Sequence, residues 1–367
     1  MKIEEILRYL EGEFPLALQD SFDHSGLQVG DVHRELTGVL LGVDVTEDLL
    51  REAVRKGANL VVTHHPLLFH PLKGLTPRTY VERCTAFAVK YDLVLYAVHT
   101  NLDNAPRGLN RYWAERVGLL PGTLRAIRPT PEYHYKLQVY VPSAYACKVR
   151  EALREVGAGR QGDYEGCSFS TGGVGRFAAL PGAHPFVGRV GEWHEETEEL
   201  VSVLLPKHLL SVALGAMRRF HPYEEPAFDV IPILHEDPAT GAGIIGELRE
   251  AVPLETFLKG LKSWQTTSPI ALSPVLHDEV KRIAYCGGAG AFLLGDAARL
   301  GADLFITGEA KYNDFHDAQD LTTLAVMGHF ETEWFATEVL AEVLSEKKGN
   351  FAVHKALELM NPLRYYI

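Results

Sequence analysis

The chain has 367 residues, 46% hydrophobic and 23% charged, which at roughly 150 residues per domain predicts about two to three domains of an ordinary globular kind. With 48 acidic against 36 basic side chains the net charge is −12, and broad nucleic-acid or anionic-membrane binding is not expected, because both need a positive field. Cys84, Cys147, Cys167 and Cys286 lie far apart with no C-x-x-C spacing, which excludes a disulfide framework and a thiolate zinc site from the expectation, whereas the sixteen histidines point to chemistry.

Residues 1–14 are charged and amphipathic, without the apolar core of a signal peptide, and no apolar run approaches the ~20 residues of a membrane span; a cytoplasmic protein with no membrane partner is expected. Residues 38–45 are a continuous apolar run, the pattern of a strand buried on both faces. Thr46 is placed to cap the helix that follows and Gly57 to end it. A strand at 59–63 runs straight into His64 and His65. An amphipathic stretch at 79–90 then leads to a strand at 93–98 and on to His99 and Asp103. Strand, helix, strand, helix, strand implies parallel pairing with right-handed crossovers.

The middle third differs. A strand at 135–141 closed by Pro142 precedes a helix around 145–156, and a strand at 200–205 closed by Pro206 precedes a helix around 208–220. A Gly-rich stretch between them suggests a hairpin at 168–177, and a strand follows at 227–233. This is the ferredoxin-like order. Pro-rich segments at 128–131 and 236–241 read as its boundary linkers. The last third returns to the first scheme, with a strand at 282–286, a tight turn at Gly287–Gly290, a helix at 292–300, strands at 303–307 and 323–327, and a long helix from about 330 to 347.

The outer thirds look like copies. Residues 52–63 align with 296–307 so that Gly57 falls on Gly301 and Thr63 on Thr307, with Ala, Arg, Gly, Ala, Leu and Thr shared. The expected architecture is a split α/β domain of two pseudo-repeated halves, 1–127 with 242–367, carrying an inserted ferredoxin-like α+β domain at 128–241.

Metal-ligand types gather at the predicted strand ends: His64 and His65 after the second strand, His99 and Asp103 after the third, and His329 with Glu333 after the strand at 323–327. Parallel strands bring such residues together at their carboxyl edge, where open α/β sheets keep their sites. His329 and Glu333 are four apart, on one helical face. Histidine plus carboxylate without cysteine suits zinc, manganese, iron, cobalt or nickel. The adjacent side chains of His64 and His65 diverge, so two ions, one for each, with a bridging carboxylate fit better than one.

These residues resemble the Nif-three-like family, whose members carry the name GTP cyclohydrolase 1 type 2 homologue. The likeness rests on His64-His65-Pro66-Leu67, His99 through Asp103, Gly328-His329 with Glu333, and Gly26 to Gly30. It extends to Val43-Asp44 with Thr46, Cys286 to Gly290, and Ile306 to Glu309 with Lys311-Tyr312. The resemblance implies a dinuclear divalent-metal centre with His64, His65, Asp103, His329 and Glu333 as ligands. It also implies a toroidal homohexamer with the metals facing its interior, and an insert similar to CutA-like and P-II-like domains. One departure is local: His24-Ser25 stands where many members have Asn-Val.

Three functions follow: metal-dependent hydrolysis of a nucleotide, with hydroxide attacking C8 of guanine in the reaction the family name implies; a non-catalytic metal-loaded ring that senses a ligand or docks a partner; or a dinuclear phosphoesterase. His99 is a candidate proton carrier or ligand-orienting residue, and Glu309, which falls on His65 under the internal repeat, a second candidate for moving protons. Lys311 is a candidate for contacting an anionic ligand. Gly287 and Gly288 either cradle a phosphate on their N–H groups or form a plain tight turn. His221-Pro222-Tyr223-Glu224-Glu225 reads as a turn or subunit contact, with a second metal site as the alternative.

Overall fold

The computed structural model describes residues 1–161, 164–264, 269–357 and 361–366, with only the strand backbone described at 131–133 and 234–237. It divides into two compact units, Met1–Thr130 with Asp237–Ile367, and Pro131–Glu236.

In the larger unit, one sheet runs in the order Gly26–Val29, Val94–Ala97, Leu60–Thr63, Val39–Gly42, Val353–Lys355. The last four strands are mutually parallel and the first is antiparallel to its neighbour. The second sheet holds Glu279–Cys286, Leu304–Thr307 and Thr323–Val326 in parallel, flanked by the antiparallel end of Phe228–Pro253 and by Ala271–Leu272.

Alternation along the strands decides what each face meets. Leu41, Val62 and Tyr96 pack into one core with Ile283, Tyr285, Leu304 and Ile306 of the second sheet. Leu40, Val61 and Leu95 face the helices Glu47–Lys56 and Tyr80–Lys90. Being apolar on both faces is what makes these strands read as continuous hydrophobic runs. The Glu47–Lys56 helix has the expected ends: Thr46 accepts from the Leu49 N–H, and Gly57 sits at φ 71°, in the left-handed region open to glycine.

The smaller unit places Ser168–Ala178, Trp193–Pro206, Arg125–Pro142 and Phe228–Pro253 side by side in that order. In chain order these are strands two, three, one and four, with helices Ser143–Glu155 and Leu210–Phe220 in the crossovers, so the ferredoxin-like arrangement is present.

Three local expectations need correction. Residues 168–177 are one strand rather than a hairpin, paired in unbroken register with Trp193–Val203. The Pro-rich segments 128–131 and 236–241 lie within the long strands Arg125–Pro142 and Phe228–Pro253 rather than in linkers, since proline is tolerated in a strand wherever its missing N–H is not required. The long C-terminal helix is two helices, His329–Glu333 and Ala336–Glu346. The break falls at Trp334 and Phe335. Phe335 is fully buried there, stacked on Tyr112 with 5.7 Å between ring centroids.

Candidate metal centre

Each side chain of the centre is delivered by the end of a parallel strand. His64 and His65 follow Leu60–Thr63, His99 and Asp103 follow Val94–Ala97, and His329 and Glu333 lie on the five-residue helix after Thr323–Val326. Glu333 is the hub, with its side chain 4% exposed. Its Oε2 lies 2.9 Å from His65 Nε2 and 2.9 Å from His329 Nε2, while its Oε1 faces His64 Nε2 at 3.7 Å. Asp103 Oδ1 approaches the same His64 nitrogen at 3.8 Å.

Two of these atoms, His64 Nε2 and Asp103 Oδ1, are buried without a hydrogen-bond partner. An orphaned polar atom in a protein interior costs about 1–3 kcal/mol, so two of them side by side call for a ligand. The groups able to hold an ion are His64 with Asp103 and Glu333, His65 with His329 and Glu333, and His64 with His65 and His99.

Behind the candidate ligands stand the groups that aim them. His64 Nδ1 donates to the Val98 carbonyl at 2.9 Å, which leaves Nε2 deprotonated in the neutral ring. His65 Nδ1 lies 2.7 Å from Asp44 Oδ1, and His329 Nδ1 lies 2.8 Å from Glu309 Oε1. His99 Nδ1 lies 2.7 Å from Asp23 Oδ1. Asp23 is itself held by the Thr100 N–H, the Thr100 hydroxyl and the Ser25 hydroxyl. This histidine-to-carboxylate pattern is the usual support of metal ligands.

Burial opposes charge on Asp23, yet the bonds from His99, Thr100 and Ser25 outweigh it and hold the carboxyl well below its usual range. On His65, burial likewise opposes protonation but the Asp44 and Glu333 carboxylates push the pKa up to about 10. His329 rises to about 9 through Glu333 and Glu309 against the same burial cost. Asp103 is pushed up, first by burial and then by the Glu333 charge.

Lys311 is exposed and caps the Tyr312–Ala318 helix with its backbone. At Gly287 and Gly288 the N–H groups are already donated, to Asn110 Oδ1 and Thr332 Oγ1, and the Gly290 N–H goes to Thr307 Oγ1. The tight turn is therefore the reading that fits, not the phosphate cradle. What glycine supplies is closeness: a Cβ on Gly288 would overlap Glu333 Oε1. A cavity of about 300 Å³ opens beside Asp44, bordered by Thr46, Glu52, Arg55, Phe330 and Leu357.

The Duf34/NIF3 (NGG1p interacting factor 3) family model matches residues 1–361. The chain belongs to that family. It is 34% identical over 350 residues to a Halalkalibacterium halodurans protein named GTP cyclohydrolase 1 type 2 homolog, 94% of each chain being covered. A Bacillus subtilis protein of the same name is 32% identical over 366 residues, 99% of this chain and 98% of that one. Among solved structures, the Bacillus cereus protein related to NIF3 superposes with a TM-score of 0.85 at 32% identity over 100% of this chain and 99% of that one. A Staphylococcus aureus protein does so at 0.79 and 28%, with the same coverage.

Two members of the site in this NIF3-family chain escaped sequence reasoning as functional residues, Asp44 and Asp23. Both follow the pattern that would have found them, a carboxylate near a strand end beside a ligand-bearing one, yet their partners are 21 and 76 residues away.

The raised histidine pKa values give a pH prediction. Without metal, His65 and His329 hold their protons at neutral pH, and a divalent ion has to displace them. Affinity should therefore rise with pH between 6 and 9, about tenfold per unit for each proton released. Calorimetric metal titrations in buffers of different ionisation heat check this, and a flat profile without proton release would contradict it. The same ion pairs stabilise the metal-free fold fully below the ordinary histidine pKa of ~6.5, and that contribution fades as pH rises through about 9 to 10.

Proposed function

We propose that this chain carries two divalent ions and uses them to hydrolyse a nucleotide, the GTP cyclohydrolase-type ring opening at C8 of guanine being the version that the relatives' name suggests. One observation carries the reading. The two oxygens of the buried Glu333 divide between His64 on one side and His65 with His329 on the other, the disposition of a bridging carboxylate. His64 and Asp103 would complete one position and His65 and His329 the second. The donor set suits zinc, manganese, iron, cobalt or nickel.

A divalent ion at such a site supplies Lewis acidity and makes hydroxide available near neutral pH. The chain's own residues do the rest. His99, anchored through Nδ1 to Asp23, presents Nε2 as the base that takes a proton at the reacting centre. Asp44 and Glu309 hold the rings of His65 and His329 in place. The cavity beside Asp44 is of the size that accepts a small ligand, and Arg55 on its wall makes no ion pair among the described residues and is available to an anionic group.

The assay incubates the metal-loaded protein with GTP, following purine absorbance for ring opening and phosphate release for the phosphoesterase alternative. Asp23→Asn should keep both ions while lowering the rate about 10²-fold or more, the usual contribution of a positioned proton carrier. If neither signal depends on His64 or Asp23, the enzyme reading fails and the metal-loaded sensor ring stands. That second reading draws on the separate ferredoxin-like unit, which we take as the CutA/P-II-like insert, and on the homohexamer expected of the family; light scattering checks the latter. No helix among the described residues is long and apolar enough to cross a membrane.

A further inference from the structure

The smaller unit holds a cavity of about 420 Å³, inside the ~300–1,000 Å³ span of small-molecule sites. Its walls come from the strand Ser168–Ala178, the segment after it, the strand Trp193–Pro206, and the turn after the helix Leu210–Phe220. Four aromatic residues line it, Tyr140, Phe177, Phe186 and Tyr223. The Tyr223 ring lies 6.0 Å from Phe177 and 6.4 Å from Phe186 between centroids, at interplanar angles of 63° and 49°. They are inclined to one another rather than stacked, and Phe186, whose ring also meets Tyr145 edge-on at 5.5 Å, is 50% exposed.

Glu198, Glu224 and Glu225 share the lining. Glu198 Oε1 accepts from the Tyr223 hydroxyl at 2.9 Å, and Glu224 Oε1 accepts from the His184 N–H at 2.9 Å. Arg176 also lines the cavity, its guanidinium paired with Glu195 at 2.7 Å, and Arg150 is paired with Glu199 at 2.8 Å. Among the described residues no basic side chain pairs with the three cavity carboxylates. A Cβ on Gly175 would overlap Glu198 Oε2, so a residue without a side chain is what allows that carboxylate its place.

The turn that presents Tyr223 is fixed by His221. Its Nε2 donates to the Tyr140 carbonyl at 2.9 Å, and its Nδ1 accepts from the Tyr223 N–H at 3.1 Å. Both ring nitrogens are used, so His221 positions the turn and is not a metal ligand. The charge of this cavity is therefore negative, its walls aromatic, and its shape set by the backbone.

We propose that the cavity binds an organic cation of the amine class, a polyamine or a quaternary ammonium ion. Aromatic rings such as the half-exposed Phe186 attract such a cation through the ring quadrupole, and unpaired carboxylates add to that attraction. A divalent metal ion fits less well. Among the described residues, the groups with three donor atoms close enough to hold one all lie at the centre built on His64 and Glu333, and the cavity carboxylates do not converge in that way. The inference does not rest on the metal chemistry of the other unit.

The test titrates the full-length, metal-loaded protein calorimetrically with spermidine and with tetraethylammonium, using magnesium as the competing ion. Saturable binding of one of the amines is expected at one site per chain. Phe186→Ala, at a half-exposed ring whose loss does not threaten folding, should weaken it about two- to thirtyfold, the range of a cation–π contact. Glu198→Gln and Glu225→Gln should weaken it as well. All three variants should keep the metal content of the other unit, which separates failure here from failure of the hydrolase reading. No saturable binding of either amine at millimolar concentration would overturn the proposal. So would affinity unchanged in both Phe186→Ala and Glu198→Gln, or displacement by magnesium as effective as by the amines.

Discussion

Replacing Glu333 with glutamine is expected to empty the proposed two-ion centre, taking metal content from the proposed two per chain to near zero by elemental analysis. Glutamine keeps the volume, so packing against Gly287 and Gly288 survives. It removes the one charge shared by His64, His65 and His329. Loss of an aiming residue behind a ligand costs about 10- to 100-fold in affinity, and loss of a bridging ligand exceeds that because both positions are affected at once. His329→Ala makes the contrast: it should lose at least one equivalent and leave the His64 and Asp103 position. The metal-free Glu333→Gln protein should also melt earlier near neutral pH, since His65 and His329 lose the carboxylate that favours their protonated forms. If Glu333→Gln retained full metal, Glu333 would not be a ligand and the two-ion arrangement would fall with it.

Trp113→Ala is the largest expected loss of stability. The indole is fully buried and lies flat on Tyr285, with 3.9 Å between centroids and 5° between planes. Deleting a buried tryptophan costs about 3–5 kcal/mol, to which the aromatic pair adds about 0.5–1.5 kcal/mol. For a unit of this size the melting midpoint should drop on the order of 10 °C. The consequence reaches the site. Tyr285 donates its hydroxyl to the Thr332 carbonyl, one residue before Glu333, so loosening the stack frees the short helix that carries His329 and Glu333. Calorimetry and metal content measured on the same sample check both parts. A shift of a degree or two with unchanged metal would show that the stack supports nothing.

Much of this was legible in the chain. Strand runs apolar on both faces predicted parallel sheets, because burial on both sides leaves no place for polar residues. The Thr46 and Gly57 helix ends were readable because capping is a contact between near neighbours. The grouping of His64, His65 and Asp103 was readable because neighbouring parallel strands share one carboxyl edge, whereas His329 and Glu333 follow a strand of the second sheet and reach them only through the packing of the two sheets.

Errors fell where local rules had nothing to grip. The Gly-rich 168–177 segment looks like a hairpin in isolation, and only its pairing with Trp193–Val203 makes it one strand. The C-terminal helix looks continuous by periodicity, and only the burial of Phe335 against Tyr112 accompanies its break.

The sequence alone thus determined the kinds of element, their order and the ligand types, since these depend on residues within a few positions of one another. Tertiary structure decided the rest. It chose which carboxylate aims which ring, Asp44 for His65 and Asp23 for His99, and how the oxygens of Glu333 divide. It also brought four aromatic residues and three carboxylates of the smaller unit around one cavity. Those are contacts between residues far apart in the chain, set by which strands pair and in which register; hydrophobic alternation fixes which face of a strand is buried but not which strand lies beside it.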